Sequence, residues 1–186
     1  MIKKKTGRLF IISAASGAGK TTIVKKLIDN LDNLKVSVSH TTRQPRLKEI
    51  NEKDYFFVNT EEFNAMIKDN QFIEYANCHG NMYGTSRKSI EYILNNQQDA
   101  ILEIDWQGAR AIKKLYPEAI SIFIMPPNID TLRERLIKRD QDSLSVIENR
   151  MQAAKEEISH ADEFDYVTIN DNLDETIDYL IKVFLK

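Results

Sequence analysis

The sequence predicts a parallel α/β fold, in which buried strands alternate with helices. Three short and predominantly apolar runs carry this prediction, at residues 9–13, 100–104 and 120–125. Such runs are typical of strands that are covered on both faces of a parallel sheet. Helical patterns follow these runs, so that βα units repeat along the chain.

Length and composition bound the class of protein. The 186 residues fit one domain with a sizeable core, and 42% hydrophobic residues with a net charge of −2 indicate an ordinary soluble globular protein. That charge disfavours general nucleic-acid binding, and the absence of a long apolar segment disfavours a membrane span. One cysteine and three scattered histidines predict neither a disulfide nor a zinc site. We therefore expect a cytoplasmic protein.

A region at about residues 36–86 interrupts the βα pattern. It contains alternating residues at 35–39, strand-like runs at 55–58 and 71–77, and a helix that we expect Thr60 to cap. Gly80 and Gly84 bracket a tight segment whose backbone we expect to be under geometric demand. Further helices are predicted at about 86–94, 109–115, 130–139, 144–160 and 173–184, with a strand at 166–169. The interrupting region therefore reads as a small mixed sheet inserted into a parallel core.

A small-residue loop between the first strand and the first helix indicates phosphate binding. Small residues let backbone N–H groups converge on an anion at a helix N-terminus. Lys20 is then expected to reach the β- and γ-phosphates, and the Thr21 hydroxyl is expected to ligate Mg²⁺. Ala14 replaces the usual first glycine, so an ordinary βα turn is the alternative. The predicted phosphate-binding loop comprises Ala14, Ala15, Ser16, Gly17, Ala18, Gly19, Lys20, Thr21 and Thr22.

Two acids close the second apolar strand. The two-residue period of a strand predicts that Glu103 and Asp105 point to the same side. Ligands of parallel sheets gather at the carboxyl ends of strands, so one of these acids is expected to orient Mg²⁺ or its waters. The alternative is a strand that simply ends in solvated acids.

Arginines concentrate in two places. Arg43 and Arg46 lie in a hydroxyl-rich loop that suits one phosphate, although a polar surface turn is equally consistent with the pattern. Arg135 and Arg139 are four apart on a predicted helix and suit a triphosphate, whereas Arg133 reads as part of a solvated helix face.

Glu74 lies in the middle of a predicted strand, between Ile73 and Tyr75. A carboxylate there is able to accept two N–H donors from a purine base. Alternatively, Glu74 belongs to the exposed face of an edge strand.

Five stretches make the chain resemble the guanylate kinase family, especially its bacterial members. They are residues 13–21, 38–46, 54–58, 80–85 and 103–108, and the resemblance covers nearly the whole chain. It implies an ATP:GMP phosphotransferase that requires Mg²⁺ and acts on GMP and dGMP. It also implies a P-loop core at about 1–35, 87–129 and 151–186, a GMP-binding insert at about 36–86 and a helical lid at about 130–150.

The resemblance also assigns roles to individual residues, each to be tested. Positions that hold the GMP phosphate are matched by Arg43, Arg46, Tyr55 and Tyr83, and positions that read guanine by Ser39, Glu74, Thr85 and Glu103. The ATP and metal site is matched by Lys20, Thr21 and Asp105, the lid arginines by Arg135, Arg139 and Arg150, and the approach to adenine by Asn170.

The chain departs from the family pattern in three places. Ala14, Leu47 with Lys48, and Asp140 replace residues that are usual in the family, which bears on loop rigidity rather than chemistry.

Two other functions are alternatives to this kinase activity. One is a non-catalytic guanylate-kinase-like module that binds a phosphopeptide, but such modules typically lack the loop lysine. The other is a P-loop kinase of a phosphorylated sugar, which has no need of Glu74.

Overall fold

The computed structural model describes residues 6–78, 80–138 and 144–186. The contacts between residues divide the chain into two compact units. Unit 1 contains the described residues within 1–10, 33–102 and 107–119, and unit 2 contains those within 11–32, 103–106 and 120–186.

A five-stranded sheet confirms the predicted parallel α/β class. Its strand order is β2-β7-β1-β8-β9, and its strands are β1 (Leu9–Ala14), β2 (Leu34–Val36), β7 (Asp99–Glu103), β8 (Ile120–Met125) and β9 (Tyr166–Ile169). β2 runs parallel to β7 and β8 runs parallel to β9. All six residues of β1 are buried, as their unbroken apolar and small character predicts.

Five helices and one 3₁₀ turn are found in unit 2 or begin there. They are α1 (Lys20–Asn30), α4 (Trp106–Leu115, which continues into unit 1), α5 (Ile129–Lys138), α6 (Leu144–Ser159), the 3₁₀ turn Ala161–Glu163 and α7 (Leu173–Phe184). The side chain of Asn172 caps α7 by accepting from the N–H groups of Asp174 and Glu175. In α1 the buried residues Ile23, Val24 and Leu27 form one apolar face.

A second sheet, of four strands, lies in unit 1. Its order is β4-β3-β6-β5, with β3 (His40–Thr41), β4 (Phe56–Phe57), β5 (Phe72–Cys78) and β6 (Asn81–Ser86). β3 is parallel to β4 and antiparallel to β6, so the predicted mixed sheet is confirmed. Unit 1 also contains helices α2 (Thr60–Lys68) and α3 (Arg87–Asn95), besides the part of α4 that extends into it.

The segment that Gly80 and Gly84 bracket is the start of strand β6. Two local predictions in unit 1 were wrong. Asn59, not Thr60, caps α2, because its side chain accepts from the Glu62 N–H while the Glu62 carboxylate accepts from the Asn59 N–H. The alternating run 35–39 is not one strand, because β2 ends at Val36 and β3 begins only at His40.

Gly84 shows why a glycine stands inside a strand. A Cβ built on it would lie 2.9 Å from a ring carbon of Phe72 and 3.0 Å from one of Phe63. The two rings pack together with their centroids 4.5 Å apart, and the backbone of β6 at Gly84 packs directly against them.

Candidate active site

The loop between β1 and α1 has the backbone that the phosphate-loop prediction requires. Gly17 and Gly19 have φ angles of +95° and +100°, which other residues adopt only under strain. The Ala18 N–H donates to the Ala15 carbonyl over 2.9 Å, closing the turn, and Lys20 opens α1. The loop thus leads directly into a helix N-terminus, where anions are favoured.

Ser16 is held from two directions by side chains of α6. Its N–H donates to Oε2 of Glu157 over 2.7 Å, and its hydroxyl accepts from Nε and Nη2 of Arg150 over 3.1 and 3.0 Å. Arg150, a predicted lid arginine, therefore contacts the phosphate loop in this structure.

Lys20 and Thr21 contact the end of β7. Lys20 Nζ lies 3.4 Å from the Ile104 carbonyl oxygen, and the Thr21 hydroxyl donates to Oε2 of Glu103 over 3.3 Å. Two oxygen donors, one neutral and one charged, thus lie side by side at the start of α1, as a hard cation prefers.

Asp105 does not extend the strand that ends at Glu103. β7 stops at Glu103 and α4 starts at Trp106, so the two-residue strand period used to place both acids on one side does not apply here. Asp105 instead lies in the intervening turn, close enough to Glu157 to raise the pKa of that carboxyl together with burial, the larger cause.

Asn170 and Arg135 lie on the other side of the loop. Nδ2 of Asn170 donates to the Ala18 carbonyl over 2.7 Å, and Nη2 of Arg135 donates to the Asn170 carbonyl over 3.1 Å. A cavity of about 350 Å³ opens beside them, lined by Gly17, Gly19, Thr22, Arg135, Lys138, Asn170, Asp171 and Leu173. The structure thus brings the predicted adenine residue and one predicted lid arginine to the phosphate loop.

Two further arginines belong to this region of the sequence, Arg133 and Arg139. Arg133 forms an ion pair with Glu148 of α6 and is about half exposed, in line with a solvated helix face. Arg139 and Asp140 lie outside the described residues.

Trp106 follows Asp105 and stacks on an imidazole. Its ring and that of His160 have centroids 3.7 Å apart and planes inclined by 24°. Nδ1 of His160 lies 2.8 Å from a carboxylate oxygen of Glu163, so the stack is tied to the 3₁₀ turn.

Unit 1 brings together three of the four residues that were predicted to read guanine. Glu74 on β5 is opposite Thr85 on β6, and the Thr85 hydroxyl donates to its carboxylate. The hydroxyls of Thr85 and Ser39 lie 3.5 Å apart. Only 7% of Glu74 is exposed, which rules out the alternative of a solvated edge-strand acid. The described hydrogen bond of the fourth residue, Glu103, is with Thr21 instead.

The predicted phosphate-binding residues also gather in unit 1. The Arg43 guanidinium lies 5.5 Å from the centre of the Tyr55 ring, and the Tyr55 and Tyr83 rings are 5.9 Å apart. Nη2 of Arg43 donates to both carboxylate oxygens of Glu49 over 2.8 and 2.9 Å. The Arg46 N–H donates to Oε2 of the same carboxylate over 2.8 Å.

Charge pairing sets the protonation of this second cluster. Burial favours the neutral form of Glu49, but hydrogen bonds and attraction from Arg43 and Arg46 outweigh it and lower the pKa of Glu49. Burial likewise opposes the charge of Arg43, yet Glu49 and Tyr83 raise its pKa overall. Arg43 and Glu49 are therefore both ionised at neutral pH.

Two carboxylates of these sites were missed by sequence reasoning. Glu49 follows Arg43 by six residues and Arg46 by three, so an acid inside a basic loop was the available signal. Glu157 follows Arg150 by seven residues, a spacing that places both on one face of a helix.

The described residues contain no group of three or more His, Cys, Asp or Glu side chains arranged to hold a metal ion. In the same part of the chain, no helix is long and apolar enough to cross a membrane.

A parallel α/β sheet, a glycine-bearing loop ahead of Lys20 and a separate cluster of arginines and tyrosines define a P-loop nucleotide kinase. The guanylate kinase family matches residues 6–186 of the sequence. The chain belongs to the guanylate kinase family.

Individual relatives agree with this assignment. The chain is 49% identical over 175 residues to a guanylate kinase of Coxiella burnetii, covering 94% of this chain and 85% of the relative. It is 51% identical to a guanylate kinase of Shewanella violacea, covering 95% and 86%. The crystal structure of guanylate kinase from Anaplasma phagocytophilum is similar with a TM-score of 0.81 and 36% identity, covering 97% of this chain and 86% of that one.

Proposed function

We propose that this protein is an ATP:GMP phosphotransferase that converts GMP and dGMP to GDP and dGDP by direct in-line transfer. The observation that carries the proposal is the buried Glu74 carboxylate with Thr85 and Ser39 around it. The similar proteins named guanylate kinase support the same activity. The presence of Lys20 and Thr21 favours a kinase over a non-catalytic binding module.

Guanine is selected by donors that adenine lacks. Guanine offers N1–H and an N2 amino group side by side, and both can donate to one carboxylate. Adenine has an acceptor at N1, which would face the Glu74 carboxylate without a proton between them. A buried polar group left without its partner disfavours the wrong base by orders of magnitude.

The acceptor phosphate is bound by the arginine and tyrosine cluster. Arg43 and Arg46 neutralise the phosphate, and the hydroxyls of Tyr55 and Tyr83 donate to its oxygens. Glu49 keeps the Arg43 guanidinium oriented before the substrate arrives. The region at 36–86 thus acts as the GMP-binding insert.

The donor ATP is bound at the loop from Ala14 to Thr22. Lys20 faces the transferred phosphoryl group, Arg135, Arg139 and Arg150 neutralise charge that develops in the transition state, and Asn170 lies toward adenine. Residues 130–150 form the lid that excludes water during the transfer.

A magnesium ion fits the oxygen donors next to the loop. The Thr21 hydroxyl and the Glu103 carboxylate are adjacent, and Asp105 follows two residues later. Thr21 would ligate the ion, and the two acids would orient its waters, since Mg²⁺ keeps several waters and takes few protein ligands. When bound, Mg²⁺ neutralises charge on the β- and γ-phosphates. We place the reaction in the cytoplasm.

A coupled assay of ADP release tests the proposal. The purified protein is given Mg-ATP with GMP, dGMP, AMP, CMP or UMP in turn. We expect turnover with GMP and dGMP and little with the others, and Lys20→Met lowers kcat about 10²- to 10³-fold because a cation at the transferred phosphoryl is lost. Equal turnover with AMP would refute the guanine assignment, and full activity of Lys20→Met would refute the donor site.

A further inference from the structure

Helix α6 grips the phosphate loop at one residue. Arg150 and Glu157 lie two turns apart on the same face of α6, and both reach Ser16. The Arg150 guanidinium donates to the side-chain hydroxyl of Ser16, and the Glu157 carboxylate accepts from the main-chain N–H of Ser16. Glu157 is therefore the residue whose described hydrogen bond holds the backbone that shapes the loop.

We propose that Glu157 is a positioning residue for the donor nucleotide, because its carboxylate fixes the Ser16 N–H and thereby the curvature of the loop from Ser16 to Lys20. The inference deepens the proposed function and rests on it. Glu157 acts through Ser16 and does not touch the nucleotide.

The location of this carboxylate argues for a specific task. A negative charge beside a loop that binds polyphosphate repels the ligand, so it is a poor choice for mere packing. Because the Glu157 carboxylate accepts from the Ser16 N–H, this N–H is occupied within the protein and does not bind the nucleotide. With Asn170 bonded to the Ala18 carbonyl, the loop is held at two alternate residues, Ser16 and Ala18.

The charged groups around Glu157 show that an uncharged acceptor is tolerated there. Burial, reinforced by Asp105, raises the pKa of Glu157, whereas the Ser16 N–H, Lys20 and Arg150 oppose that rise. Since the surroundings disfavour the charge overall, a neutral amide oxygen of the same reach serves the Ser16 N–H nearly as well.

Four variants test the inference by separating reach from charge. Glu157→Gln keeps both the length and an acceptor oxygen, Glu157→Asp keeps the charge but is one methylene shorter, and Glu157→Ala removes both. Glu156→Ala removes an exposed carboxylate from the same helix and serves as the matched control. Steady-state kinetics give KM for ATP and for GMP separately, and thermal unfolding checks that each variant is folded.

We expect Glu157→Ala and Glu157→Asp to raise KM for ATP at least about tenfold, because the part-buried Ser16 N–H is then left without its acceptor. KM for GMP stays within about twofold, and Glu157→Gln stays within about threefold of the unmodified protein for both substrates. Glu156→Ala changes neither constant. If Glu157→Ala does not fold, the Asp and Gln variants still decide between reach and charge.

Three results would overturn the inference: an unchanged KM for ATP in Glu157→Asp, an equal rise of both KM values, or a Gln variant as impaired as the Asp variant. Calorimetric titration with Mg-ADP keeps the two proposals apart. If the unmodified protein binds ADP but does not phosphorylate GMP, the proposed function fails, and weaker ADP binding by Glu157→Asp still supports the positioning role.

Discussion

Replacing Glu74 by glutamine is the sharpest perturbation of base selection. The two side chains have nearly the same shape, so the change alters hydrogen bonding with little effect on packing. The glutamine oxygen can still accept from the Thr85 hydroxyl, which donates to Oε1 of Glu74 in the structure. Its NH₂ group then faces the guanine edge, where two further donors stand.

The magnitude follows from the bonds that are lost. One of the two guanine donors loses its hydrogen bond to a buried carboxylate, which contributes about 1.5–3 kcal/mol, and it then faces another donor, which leaves it unpaired at a cost of about 1–3 kcal/mol more. A loss of about 2.5–6 kcal/mol lowers kcat/KM for GMP roughly 10²- to 10⁴-fold. In the same pose adenine presents its N1 acceptor to the amide NH₂ group, so activity with AMP rises relative to GMP.

The assay compares kcat/KM for GMP and AMP in Glu74→Gln and the unmodified protein. Glu91→Gln, at an exposed position of α3, makes the same chemical change away from the cluster and is the control. A loss of less than tenfold with GMP, or an unchanged ratio of AMP to GMP activity, would refute the reasoning. So would an equal effect of the control.

The other predictions concern the phosphate cluster and the loop. Glu49→Gln is expected to raise KM for GMP about tenfold and to leave KM for ATP unchanged, because one charged hydrogen-bond partner of Arg43 is lost; equal changes in both constants would argue against it. Because the folded-state pKa of Glu49 is depressed, its contribution to stability is present above its unfolded pKa and is lost as pH falls through the folded pKa. Urea unfolding should therefore show a smaller difference between Glu49→Gln and the unmodified protein at pH 3 than at pH 7. Gly19→Ala places a Cβ 2.6 Å from Nδ2 of Asn170 at a φ of +100°, so we expect it to lower the unfolding temperature and to weaken ATP binding. Gly80→Ala has similar backbone strain, at φ +78°, with nothing within 4 Å of the new Cβ, and should leave ATP binding intact.

Features that depend on nearby residues were predictable from the sequence. The apolar runs of β1 and β8 and the loop leading to Lys20 owe their structure to local pattern, and the structure confirms them. The burial of Glu74 could be inferred only as one of two alternatives, because whether a strand face is covered depends on distant segments.

Features that depend on packing were not predictable. The sequence indicates only that the backbone near Gly84 is under geometric demand, whereas the structure gives the cause: Gly84 lies in a strand where the rings of Phe63 and Phe72 leave no room for a side chain. Glu157 is 141 residues away from Ser16, so no local pattern links the two. The end of β7 at Glu103 depends on where α4 begins, and this placed Asp105 in a turn.

The stack of Trp106 on His160 has a practical consequence. Trp106 is the single tryptophan of the chain and adjoins Asp105 in sequence. Indole emission responds to the movement of an aromatic ring in contact with it. The stack therefore serves as an optical probe next to Asp105, one of the acids proposed to orient the waters of Mg²⁺, and we expect its emission to change when Mg-ADP is added to the unlabelled chain.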